Sequence, residues 1–91
     1  MAKQIFFIAI TANAAQVTER IEKIFQEERR FRLADDKWFV VFDGMSRELA
    51  EEIGIRSNPA IGAGVVLPVD SYSGRASTQM WEWLKLNMER Q

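Results

Sequence analysis

Any chemistry in this chain falls to carboxylates, arginines and hydroxyls, because it contains no histidine and no cysteine. The commonest general base, the commonest metal ligand and the thiolate nucleophile are therefore absent. Three groups of residues remain. Asp43 and Asp70 each close an expected strand, and paired carboxylates are what a divalent ion requires. The sheet order expected below is read as placing these two at opposite ends, so that no single site forms within one chain. Asp43-Gly44 is then a turn, and Asp70 starts a loop.

The second group is "RRFR" with the lysine that follows, the one basic cluster. Arg30, Arg32 and Lys37, with Trp38 beside them, are candidates for following a phosphate backbone. Glu27 and Glu28 precede the cluster and Asp35 and Asp36 follow it. Charges on an edge strand also block unwanted strand pairing, and that structural reading is preferred. The third group is "DSYSGRAS", where Tyr72, Arg75 and Ser77 sit beside the start of a helix. Helix N-termini attract anions and an arginine clamps them. The structural reading is a helix start, with Gly74 bending the chain and Ser77 capping. No serine here has a histidine to activate it, so the familiar triad is excluded. "GAG" at Gly62 to Gly64 precedes a strand and lacks the lysine of a phosphate loop.

These residues have to be positioned by one domain, residues 1–91, since 91 residues make a single small core. Apolar residues are 47% of the chain, which excludes disorder as its main state. Twelve basic against thirteen acidic residues leave a net charge of −1 and no overall pull toward nucleic acid or membrane. The apolar run after Lys3 is too short for a membrane span, and removing it as a signal would delete the best strand. A cytoplasmic protein is expected.

Ile5 to Ile10 is apolar on both alternating faces and predicts a strand buried on both. Asn13 is expected to cap a helix, with Gln16 in capping-box position and Val17, Ile21, Ile24 and Phe25 as its apolar stripe. Phe31 and Leu33 alternate with Arg30 and Arg32, and Asp35-Asp36 turns this strand into Trp38 to Phe42, again apolar on both faces. Ser46 is expected to cap a second helix that buries Leu49, Ala50 and Ile53 and stops at Gly54. Val65 to Val69 is the fourth strand, and Pro68 places it at a sheet edge. A third helix runs from Ser77 or Thr78 to the end.

The order β-α-β-β-α-β plus a helix predicts an α+β, ferredoxin-like fold with antiparallel sheet order 4-1-3-2. The first two helices cover one sheet face, so something else must cover the second: the third helix, a second copy, or both. The third helix is broadly apolar, with Trp83, Met80, Leu84, Met88 and Trp81 on one wide arc and Leu86 outside it. That surplus predicts a homodimer, with Trp81, Trp83 and Leu86 as candidate interface residues.

"KWFVVFDGMSRELAEEIGI" followed by "GVVLPVDSYSGRASTQMWEWLK" resembles the small SinR-like proteins, relatives of the small endonuclease-like subunit of the CRISPR adaptation complex. The likeness covers most of the chain and is most distinctive around Trp81, Glu82, Trp83, Leu84 and Lys85. It implies a ferredoxin-like dimer and, in the wider superfamily, metal-dependent nuclease activity or handling of nucleic acid. Nuclease members carry a metal-binding aspartate at the end of strand one, where Thr11 stands here. A threonine hydroxyl does not replace an anionic Mg2+ ligand. The expectation is thus a non-catalytic binding or assembly protein without metal or cofactor. Nucleic-acid binding and a metal-dependent ribonuclease are the alternatives.

Overall fold

The computed structural model describes residues 3–89. Four strands form one antiparallel sheet: β1 (Gln4–Ala12), β2 (Arg30–Ala34), β3 (Lys37–Phe42) and β4 (Ala63–Pro68). Their order is β2-β3-β1-β4, which is the expected 4-1-3-2 read from the other edge. Three α-helices join or follow them: α1 (Ala14–Ile24), α2 (Ser46–Glu52) and α3 (Thr78–Glu89). A short 3-10 turn, Glu27–Arg29, leads into β2. The fold is α+β.

The two strands read as apolar on both faces are the central ones, and the sheet sorts their side chains by alternation. One face carries Phe6, Ile8, Ile10, Trp38 and Val40, covered by Val17 and Ile21 of α1, by Leu49 of α2 and by Ile53 at the C-cap of α2. The other carries Ile5, Phe39 and Val41, covered by Leu84 with Met80, Trp81, Trp83 and Met88 of α3. The result is three layers, helices–sheet–helix. Trp38 is almost wholly buried, and its indole N–H donates to Thr18 Oγ1 at 3.2 Å, so the one polar atom of that side chain is satisfied.

Local details differ from the sequence reading in four places. Asn13 does not cap α1 through its side chain. It adopts a left-handed conformation (φ 57°) and its side-chain amide donates to the Ile61 carbonyl at 3.0 Å, tying the start of α1 to the loop before β4. Ile24, placed in the stripe of α1, is 38% exposed because the helix ends there and the chain turns extended at Phe25. Ser46 is the first helical residue of α2, and the cap position belongs to Met45, whose backbone N–H donates to Glu48 Oε1 at 2.7 Å. β4 starts two residues earlier than expected, at Ala63. Two other expectations agree with the structure. Ser77 Oγ accepts the Met80 N–H at 3.2 Å at the start of α3. Gly54 follows α2 with φ +90°, where an added Cβ would collide with the Ile61 side chain.

The place of Pro68 follows from the ladder. Val69 N–H donates to the Ile5 carbonyl, so Val69, Leu67 and Val65 turn their backbone groups toward β1. Gly64, Val66 and Pro68 alternate with them and turn theirs outward. The residue without an N–H therefore stands where no ladder bond is lost.

Candidate functional site

The three groups of candidate residues meet different fates. Arg30 reaches back to the Phe25 carbonyl. Arg32 donates to the Ala34 and Asp35 carbonyls, both at 3.2 Å, pairs with the Asp35 carboxylate at 3.7 Å and lies over the Trp38 ring at 5.5 Å. Lys37 bonds Asp36 at 3.0 Å. Each cation thus has a local partner: Arg32 and Lys37 tie down the β2–β3 turn, and Arg30 ties the start of β2 to the end of α1. The Lys37 hydrogen bond, opposed by some desolvation and helped by its charge, holds the Asp36 carboxyl below the ordinary aspartate range.

In the loop before α3, Ser77 is occupied as the cap. Tyr72 stacks on Trp81, with ring centroids 5.5 Å apart and 24° between planes. Arg75 is exposed. The loop therefore works mainly as a connection: Tyr72 covers one indole while Ser77 starts the helix. Trp83 turns toward the sheet, stacked on Phe39 at 6.3 Å and near Phe31 at 6.0 Å, and its buried indole N–H has no hydrogen-bond partner among the described residues. Leu86 remains 49% exposed on the outer side of α3.

The aspartates require a correction. β3 and β4 both run antiparallel to β1, so they are parallel to each other and end on the same side of the sheet. Asp43 and Asp70 therefore flank the start of β1 at one end, about two strand spacings or ~10 Å apart, rather than at opposite ends. Both are exposed. Thr11 sits at the other end of β1, also exposed, next to an irregularity in the β1–β4 register. Among the described residues, no group of three or more acidic side chains gathers into a metal-ligand set. No described helix is long and apolar enough to cross a membrane.

Two surface features were not anticipated. The first is an apolar strip that α3 leaves open on its own side of the sheet. Val65 and Leu67 of β4 project on the same face as Phe7 and are 49% and 50% exposed. Tyr72, 39% exposed and stacked on Trp81, follows a few residues on. The second lies across the sheet, between α2 and the outer side of β4. It is a cleft of about 340 Å3 lined by Arg47, Arg56, Ser46, Ala50, Ile55 and Val66, with Gly64 at its edge. The guanidinium groups of Arg47 and Arg56 have no hydrogen bond or ion pair among the described residues. The two residues are nine positions apart in sequence and meet because the chain folds back after Gly54, with the Ile55 and Arg56 N–H groups both donating to the Ala50 carbonyl at 3.1 Å.

The chain matches no protein-family model, no curated protein and no solved structure.

Proposed function

We propose that this ferredoxin-like domain is a binding and assembly module that acts as a homodimer, associating through the open strip of its second sheet face. The observation that carries this reading is the half exposure of Val65 and Leu67, two branched aliphatic side chains on the sheet face against which α3 packs. Full burial of such a side chain stabilises by about 1.5–3 kcal/mol, so completing the burial of this pair in each copy contributes several kcal/mol. Association costs roughly 4–15 kcal/mol, so the two residues alone do not suffice and neighbouring surface must take part. Phe7, Tyr72 and Trp81 provide it. A two-fold pairing uses the same strip on both copies. A net charge of −1 puts little repulsion between them. The affinity expected from this balance is micromolar rather than nanomolar.

Nucleic-acid binding through Arg30, Arg32 and Lys37 has less support, because all three cations are engaged with local carbonyls and carboxylates. A phosphate has to displace those partners. The two readings separate on a heparin or RNA column. Retention that weakens with salt and disappears in an Arg30→Ala/Arg32→Ala double variant supports nucleic acid. Association of the purified protein, lost on Leu67→Glu, supports the assembly reading.

A further inference from the structure

We infer that the cleft between α2 and β4 is a docking site for an acidic, extended peptide segment that adds to the outer edge of β4. Three observations converge there. The first is the open edge. Gly64 and Val66 point their N–H and C=O groups away from β1, and these groups make no backbone hydrogen bond outside the strand ladder. An unpaired edge of this kind is the template for an incoming strand. Pro68 offers no N–H, so it sets the limit of such pairing at that end.

The second observation is charge. The Arg47 and Arg56 guanidiniums have no partner among the described residues and line the cleft beside this edge. By contrast, Arg30, Arg32 and Lys37 are all taken up locally. A carboxylate entering between the two guanidiniums gains charge-assisted hydrogen bonds that water-exposed arginines otherwise lack. The third is shape. The cleft combines half-buried apolar side chains, Ala50, Ile55 and Val66, with the exposed cations Arg47 and Arg56. In an added strand every second side chain projects toward the helix side of the sheet, as Val66 does. A glutamate at such a position lays its methylenes on those apolar side chains and its carboxylate between the arginines. Gly64 belongs to the same design. An added Cβ there would meet the Ala9 carbonyl, so the residue is held small beside β1.

Val65 and Leu67 project to the opposite face, so this site is separate from the proposed dimer strip, and failure of either leaves the other standing. The test uses a labelled, end-blocked peptide of about six residues alternating glutamate with valine, and a matched lysine–valine peptide, since strand addition needs only such a length. Fluorescence anisotropy measures binding, and hydrogen exchange followed by NMR reads individual amides. The glutamate peptide is expected to bind, to slow exchange at Gly64 and Val66, and to bind roughly tenfold or more weakly to Arg47→Ala/Arg56→Ala. Amide protection is read on the unaltered protein, so it does not depend on that variant folding. Equal binding of the lysine peptide, or unchanged exchange at Gly64 and Val66, overturns the proposal. Inorganic phosphate or a short RNA that binds through the two arginines while the glutamate peptide does not also overturns it.

Discussion

Trp38 shows how a single side chain can be both core and constraint. Its ring fills the layer under α1, and its indole N–H depends on Thr18 Oγ1. Thr18→Val keeps the shape and removes the acceptor, leaving a buried donor unsatisfied. Urea denaturation is expected to show a loss of about 1–3 kcal/mol. Thr18→Ser, which keeps the oxygen, is expected to recover part of it. Asp36 carries a pH signal. Its carboxyl is held below the ordinary aspartate range chiefly by the Lys37 hydrogen bond. A depressed carboxyl contributes stability above its unfolded value and loses it as pH falls through the folded value, so any effect here lies at the acid end of the aspartate range. Lys37→Met is expected to raise the Asp36 titration midpoint, read by carboxyl NMR. The same residue scale explains why Asn13 stands at the N-cap of α1 without a side-chain cap bond. Asparagine is common both as a cap and in the left-handed region, and what decides between them is the Ile61 carbonyl, 48 positions away in sequence.

At the scale of elements, α3 is the decisive piece. It closes a sheet face that α1 and α2 cannot reach, through Leu84 at its centre. Leu84→Ala is expected to cost about 2–5 kcal/mol and to expose the Phe39 side of the sheet, seen as a lower denaturation midpoint and increased dye binding. Ser77→Ala removes only a cap and is expected to cost about 0.5–2 kcal/mol. The strands themselves were legible. β1 and β3 repeat apolar residues on both faces and are central; β2 alternates arginines and β4 carries a proline, and both are edges. The relation between Asp43 and Asp70 was not, because it depends on combining two pairings. Each strand is antiparallel to β1, which makes the two parallel to each other. The arginine cleft was also invisible. Arg47 and Arg56 belong to a helix and to the turn after it, and only the return of the chain at Gly54 and the arrival of β4 bring them together. The glycine stop was the one local signal.

The whole molecule is a sheet closed on one face by two helices and incompletely closed on the other by a third. What α3 leaves open is the β4 margin, and the account turns on what covers it. The sequence pattern points to a second copy seated on a sheet face and the C-terminal helix, through Trp81, Trp83 and Leu86. The structure stacks Trp83 on Phe39 and covers Trp81 with Tyr72, so the half-exposed aliphatic side chains on that side of the sheet are Val65 and Leu67 of β4 and Leu86 on the outer side of α3. Leu67→Glu places a charge on that strip at a position already half in water, so its effect on folding is expected within ~0.5 kcal/mol while its effect on association is large. Sedimentation equilibrium of the unaltered protein and of this variant, at up to ~100 µM, is the most direct measurement of the dimer. The account predicts a species approaching twice the 10.5 kDa chain mass for the unaltered protein and a 10.5 kDa species for Leu67→Glu. An unaltered protein that stays at 10.5 kDa throughout, or a variant that associates equally well, contradicts it.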